Sequence, residues 1–108
     1  MNSNTPDFNN FYSYINGVSI DTVASIFANS GWSAKCSACG EWKLCNEWSD
    51  FILIKTASDE LLLNGAVVFD KTNIDKIEKA FAIMKGEYAC EFYDIDKNLV
   101  LEFKSVRA

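Results

Sequence analysis

The chain has 108 residues, of which 49% are hydrophobic and 14% aromatic, enough to fill the core of one domain. Its formal net charge of −5 excludes the usual nucleic-acid binder, because affinity for phosphates depends on clustered lysine and arginine. The sequence contains no histidine, which removes the usual general base of many enzymes. These properties favour a binding protein over an enzyme.

The N-terminus shows no basic region followed by an apolar segment, and no apolar run approaches the ~20 residues of a membrane-spanning helix. We therefore expect a cytoplasmic protein that binds neither membrane nor nucleic acid. A single domain is predicted over residues 1–108, with frayed residues 1–5.

Three helices are predicted from apolar residues that recur at intervals of three and four. The first covers residues 6–16, because Thr5-Pro6-Asp7 is typical of a helix start. The second follows a Ser19 cap and ends at Asn29-Ser30-Gly31, and the third runs from Thr72 to a stop at Gly86. The apolar stripes are Phe8, Phe11, Tyr12 and Ile15 in the first helix, Ile20, Val23 and Phe27 in the second, and Ile74, Ile77, Phe81 and Met84 in the third.

Alternation of apolar and polar residues predicts five strands. They cover Ser33 to about Leu44 with a bend allowed at Gly40, Phe51 to Thr56, Leu61 to Phe69, Tyr88 to Phe92, and Leu99 to Phe103. Asn64-Gly65 is interpreted as a β-bulge rather than as a tight turn between two short strands. The predicted order is α-α-β-β-β-α-β-β, an α+β fold in which an antiparallel sheet of about five strands carries its helices on one face.

The four cysteines allow a metal site to be considered; they are Cys36, Cys39, Cys45 and Cys90. Cys36-Ser-Ala-Cys39-Gly40 has the spacing of a zinc knuckle. However, a second knuckle is missing, and strand alternation sends Cys36 and Cys39 to opposite faces. A redox pair is disfavoured because a strand, rather than a helix N-terminus, follows the motif. Reduced thiols without a metal or another cofactor are therefore the favoured interpretation.

The segment Asp94-x-Asp96-x-Asn98 imitates the first half of a calcium-binding loop. The imitation ends there, because Leu99 stands where the loop needs glycine and Ser105 stands where it needs glutamate. A polar hairpin turn is therefore predicted.

The candidate partner-binding set consists of carboxylates in the predicted loops and one tryptophan. Trp42 falls on the inward side of its strand, whereas Trp48 lies in a turn, where an aromatic side chain can serve as an interface anchor. No catalytic residue is predicted. The set is Glu41, Glu47, Trp48, Asp50, Asp59, Glu60, Asp94 and Asp96.

In size, acidity and layout the chain looks like the immunity proteins of bacterial toxin systems. That likeness implies an inhibitor that neutralises a basic toxin or nuclease by covering its substrate cleft. The alternative is a secretion-type chaperone, a dimer of plan α-β-β-β-α-β-β-α that holds an extended client; this chain has an extra leading helix and lacks the closing one. A small cysteine-zinc protein is a third hypothesis. The oligomeric state is not predicted.

Overall fold

The computed structural model describes residues 5–105 as one sheet of seven strands with two helices. The predicted fraying of residues 1–5 falls outside this range except at Thr5. The elements are β1 (Phe11–Asn16), α1 (Ile20–Ala28), β2 (Ser33–Cys36), β3 (Trp42–Asn46), β4 (Ser49–Ala57), β5 (Glu60–Val67), α2 (Lys71–Ile83), β6 (Glu87–Tyr93) and β7 (Leu99–Lys104).

The strands are ordered β2-β3-β4-β5-β1-β6-β7 across the sheet, and every neighbouring pair is antiparallel. The predicted fold, five strands in the order α-α-β-β-β-α-β-β, is therefore wrong. The described chain runs β-α-β-β-β-β-α-β-β. The two additional strands come from the predicted first helix and from the segment predicted as one long strand.

The predicted helix over residues 6–16 is wrong because residues 11–16 form β1, which lies between β5 and β6. Phe11, Ser13 and Ile15 are buried, whereas Tyr12 and Tyr14 are exposed, so burial follows a period of two. Two neighbouring strands satisfy the backbone on both sides, and aromatic and β-branched residues suit a strand. Sheet pairing therefore overrides the helix-like spacing.

The segment predicted as one strand from Ser33 to Leu44 is a hairpin of β2 and β3. Ser37 and Glu41 close its turn, with the Ser37 N–H donating to the Glu41 carbonyl at 2.7 Å. Gly40 adopts a φ of +87°, a conformation that glycine reaches without strain. A full reversal of the chain therefore replaces the predicted bend.

The pair Asn64-Gly65 forms neither a bulge nor a turn, because β5 passes through it in continuous register. The irregularity between β4 and β5 lies instead between Lys55 and Ala57. Gly65 is directly opposite Phe11 on one side and Phe51 on the other. The rings of these two phenylalanines meet at 4.9 Å across the glycine.

An aromatic cluster connects both helices to the sheet. Phe27 of α1 and Phe81 of α2 are 5.9 Å apart between ring centroids, and each also contacts a phenylalanine of the sheet, Phe51 and Phe11 respectively. The predicted second helix is confirmed as α1, with Ser19 as its cap. The third begins earlier than predicted, because Asp70 rather than Thr72 caps α2.

Candidate functional site

The predicted partner-binding residues are divided between two opposite ends of the sheet and do not form one site. Glu41, Asp59 and Glu60 lie at the end where Asn16 pairs with both Glu60 and Glu87. Glu47, Trp48, Asp94 and Asp96 lie at the other end, near the start of β1. Asp50 is exposed on β4.

Trp48 and Asp94, both of the predicted set, make structural contacts of their own. Trp48 is half-buried and packs its ring against Trp32 at 5.2 Å between centroids. Asp94 accepts the backbone N–H groups of Asp96 and Asn98 through one oxygen, each at 2.9 Å, so its carboxylate organises the β6–β7 turn. The side chain of Asp96 is the exposed carboxylate of that turn.

A second set of residues, which shares only Glu60 with the predicted set, comes together on the sheet face opposite Phe11 and Phe51, which we call the open face. Opposite residues of antiparallel strands share a face, so the pairing register identifies the group. Three tyrosines and four glutamates from four neighbouring strands meet there. This tyrosine–glutamate face consists of Tyr12, Tyr14, Glu60, Glu87, Glu91, Tyr93 and Glu102.

Hydrogen bonds connect the tyrosines and glutamates of this face. The Tyr93 hydroxyl donates to Oε1 of Glu91 at 2.7 Å, and the Tyr14 hydroxyl donates to Oε2 of Glu60 at 3.4 Å. Tyr12 and Tyr93 meet edge to face with ring centroids 5.7 Å apart. The rings remain at the surface: Tyr12 is 40% exposed and Tyr14 is 37% exposed.

The glutamates also act on the tyrosine hydroxyls through their charge. The hydrogen bond to Glu91 raises the pKa of Tyr93 above its ordinary value, and partial desolvation and the charges of Glu91 and Glu102 add to the rise. Desolvation raises the pKa of Tyr14, and the charges of Glu60 and Glu87 and the Glu60 hydrogen bond raise it further. The charge contributions to both shifts come from glutamates of this face, which places negative charge beside the tyrosine hydroxyls.

On this face, a conflict of like charges lies between β6 and β7. Glu91 and Glu102 are direct cross-strand partners, an arrangement that weakens a sheet. Neither glutamate forms an ion pair within the described part of the chain. Lys104, directly opposite Ala89, is the cation that β7 places on this side. A conflict of this kind is relieved when an external cation approaches.

The segment before β1 divides the open face into two concave regions. On one side, Phe8, Tyr12, Tyr93 and Ile95 line a cleft of about 730 Å³, which we call the aromatic cleft. On the other side, a groove of about 610 Å³ is lined by residues of β3, β4 and β5, and it contains Asp50. Two residues of the predicted set, Asp50 and Glu41, both line this second groove.

The cysteines are separated from one another. Cys36 and Cys39 are exposed around the β2–β3 turn, Cys45 is half-buried on β3, and Cys90 is buried in the core on β6. Among residues 5–105, no three cysteine or carboxylate side chains are placed to hold a metal ion together. The four-thiolate zinc hypothesis is therefore without support in this arrangement.

We expect Cys90 to make the free energy of unfolding sensitive to alkaline pH. Burial raises the pKa of its thiol far above the ordinary value, and the nearby Glu78 adds to the rise. The folded state therefore keeps a proton that the unfolded state releases near pH 8.5, so this contribution is intact below that pH and is lost as pH rises. We expect a loss of about 1.4 kcal/mol per pH unit above pH 9 from this group.

Urea unfolding of the wild type and of Cys90→Ala at pH 8 and pH 10 checks this expectation. The variant starts less stable because it contains a cavity, but it loses about 1.5 kcal/mol less than the wild type between the two pH values. Equal losses in the two proteins would contradict the assignment to Cys90.

Comparison of the chain with protein-family models, curated proteins and solved structures finds no match. No helix between Thr5 and Ser105 is long and apolar enough to cross a bilayer.

The tyrosine–glutamate face was missed because only the inward-facing residues of the last hairpin were used. The alternation that identified Cys90 and Phe92 as inward also places Glu91 and Tyr93 on the other face. What the sequence could not supply was β1, whose misassignment as a helix hid the two tyrosines between β5 and β6. Once β1 is assigned as a strand, its alternation places Tyr12 and Tyr14 on the same face as Glu91.

Proposed function

We propose that this protein binds a basic protein partner through its tyrosine–glutamate face. One observation supports the proposal above the others: Glu91 and Glu102 oppose each other on a surface that is otherwise rich in tyrosine. A lysine or arginine of a partner placed between them relieves their repulsion. The repulsion between Glu91 and Glu102, which destabilises the free protein, then becomes a source of binding free energy.

The tyrosines complement the charges. Tyr12, Tyr14 and Tyr93 offer large, fairly rigid rings with polar tips, which suit the centre of a protein interface. The net charge of −5 adds long-range attraction, which raises the rate of encounter with a basic protein. Together these features favour a fast-associating complex with aromatic contacts at its centre.

The activity that fits such a surface best is inhibition of a basic toxin or nuclease, as an immunity-type protein. An enzyme that binds nucleic acid presents a cationic cleft to phosphates, and the glutamates of this face can take the place of those phosphates. Size and acidity continue to support the likeness to immunity proteins. The layout no longer does, because the element order differs from the one predicted.

The first test identifies the partner. A photo-crosslinking amino acid replaces Tyr14 on the proposed face or Glu78 on the exposed side of α2. We expect a basic protein to crosslink in the cell from position 14 and not from position 78. Capture of an acidic protein from position 14, or equal capture from both positions, contradicts the proposal.

The second test measures association with the captured partner. We expect the double variant Glu91→Lys/Glu102→Lys to slow association about 10- to 100-fold at low salt, because it reverses the charge of the face. Asp21→Lys/Glu78→Lys is the matched control, since it makes the same change of net charge at exposed positions on the helices. Stopped-flow kinetics at 20 and 200 mM NaCl separate the two variants, and equal slowing by both contradicts a role for this face.

The chaperone hypothesis retains one supporting observation, the edge strand β7. Leu99, Val100 and Leu101 are consecutive, apolar and exposed on a strand that pairs on one side with β6. Such an edge can accept an extended segment of another chain. The described order of elements departs from the chaperone plan. A homodimer in light scattering whose mass falls to that of a monomer in Val100→Lys would favour this second function.

A further inference from the structure

The aromatic cleft is a candidate binding site within the proposed interface, and the inference drawn from it rests on the proposed binding of a basic protein. Its walls are Phe8 from the segment before β1, Tyr12 from β1, and Tyr93 and Ile95 from β6 and the following turn. Ile95 is 74% exposed and adds an apolar side chain to the wall of the cleft. The cleft is thus an open, aromatic-walled hollow on the acidic face.

The electrostatics of the cleft favour a cation. Oε1 of Glu91 accepts the hydroxyl of Tyr93, which lines the cleft, and its second oxygen, Oε2, accepts no hydrogen bond within residues 5–105. Glu102 stands beside Glu91 on β7. Asp94 and Lys97 also line the cleft, and their opposite charges largely offset each other. The remaining potential comes from the two glutamates and is negative.

The walls distinguish between the two common protein cations. A lysine ammonium is compact and strongly hydrated, so it loses much of its hydration in an apolar hollow. An arginine guanidinium is planar and weakly hydrated, and it stacks on aromatic rings while its edge donates to a carboxylate. Tyr12 and Tyr93 supply the rings, and Glu91, hydrogen-bonded to the Tyr93 hydroxyl, supplies the carboxylate.

We infer that the aromatic cleft captures an arginine side chain of the basic partner. The guanidinium lies among the rings of Phe8, Tyr12 and Tyr93, with its N–H groups directed toward Oε2 of Glu91. Binding in this cleft makes the protein selective for arginine over lysine. The negative charge of the face alone does not produce that selectivity.

The test compares three acetylated peptides, (Gly-Arg)3, (Gly-Lys)3 and (Gly-Leu)3, titrated into the full chain at low salt and followed by two-dimensional NMR. We expect the arginine peptide to bind roughly fivefold more tightly than the lysine peptide, the size of a cation–π contribution at a partly exposed site. The largest shifts should fall on the ring signals of Phe8, Tyr12 and Tyr93. The leucine peptide should bind most weakly.

Substitutions assign the selectivity to the cleft. Tyr12→Leu and, independently, Tyr93→Leu remove one ring each and should bring the ratio of the arginine to the lysine affinity close to one. Tyr88→Leu is the matched control, because Tyr88 is also a tyrosine of β6 but packs against Phe81 on the opposite face of the sheet, outside the cleft, and it should keep the wild-type ratio. Circular dichroism verifies that each variant is folded, and two independent cleft variants keep the test decisive if one fails to fold.

The outcomes separate this inference from the proposed function. Equal binding of the arginine and lysine peptides by the wild type overturns arginine capture and leaves the binding of basic proteins standing. Binding of the leucine peptide as tight as that of the arginine peptide also overturns arginine capture, since the cleft would then bind apolar side chains without preference for a cation. Absence of binding by both cationic peptides overturns both proposals. An unchanged ratio in folded Tyr12→Leu and Tyr93→Leu overturns the role of the rings.

Discussion

Replacement of Gly65 by valine is expected to lower the free energy of unfolding by about 3 kcal/mol or more, the upper end for overpacking. A β-carbon at this position would clash with the carbonyl oxygen of Asp50 and lie 2.8 Å from Cα of Phe51. Both atoms belong to the backbone of β4, so no side-chain rotation can make room. The strands must separate, and the Phe11–Phe51 contact across the glycine must open with them.

Urea denaturation of Gly65→Ala and Gly65→Val measures this effect. The alanine variant already carries the clashing atom, and we expect it to lose about 1–3 kcal/mol, while the valine variant loses more. Leu62→Val is the control, because it introduces the same β-branched residue into β5 at a half-buried position and should cost less than about 1.5 kcal/mol. A Gly65→Val protein as stable as the wild type would show that β4 and β5 separate here without loss.

The correct and incorrect parts of the sequence prediction have identifiable causes. α1 and the β6–β7 hairpin were predicted correctly because local signals agree there: a serine cap precedes an apolar stripe, and Asp94 begins a polar turn between two alternating segments. Where one pattern fits two periods, as with Phe11, Tyr12 and Ile15, only the neighbouring strands decide the outcome. Those neighbours are Leu61–Gly65 and Tyr88–Phe92, about 50 and 80 positions away, and nothing local announces them.

The candidate site follows the same logic. Loop carboxylates such as Asp59 and Asp96 were identifiable because turns and charge are local properties, but the structure places them at opposite ends of the sheet. The juxtaposition of Glu91 with Glu102 was implicit in the hairpin register, whereas that of Tyr12 with Glu91 required β1 to be placed first. Composition thus indicated an acidic surface, and topology determines which carboxylates lie together.

Replacement of Asn10 by alanine is expected to cost about 2–4 kcal/mol, because two buried backbone groups lose their partners at once. The side chain of Asn10 is buried, donates from Nδ2 to the Val67 carbonyl at 2.9 Å, and accepts the Val67 N–H at 2.8 Å. Its own backbone bonds Gly65 and Tyr93. One asparagine therefore extends the pairing of β1 on both sides, and it anchors the segment that carries Phe8 across the open face.

The Asn10→Asp variant is expected to lose stability to an extent that depends on pH. A carboxylate still accepts the Val67 N–H, but it has no proton to donate and repels the Val67 carbonyl, so burial raises its pKa in the folded state. Stability relative to the wild type is then recovered as pH falls and the acid is protonated, and it is lost as pH rises through that raised pKa. Denaturation at pH 4 and pH 7 checks this, with Asn9→Ala as an exposed neighbour that should change stability by less than about 0.5 kcal/mol.

Because the anchor also positions Phe8, folded Asn10→Ala should bind the arginine and lysine peptides with a smaller affinity ratio than the wild type. A variant that is destabilised but keeps the full ratio would show that the cleft holds its shape without this anchor.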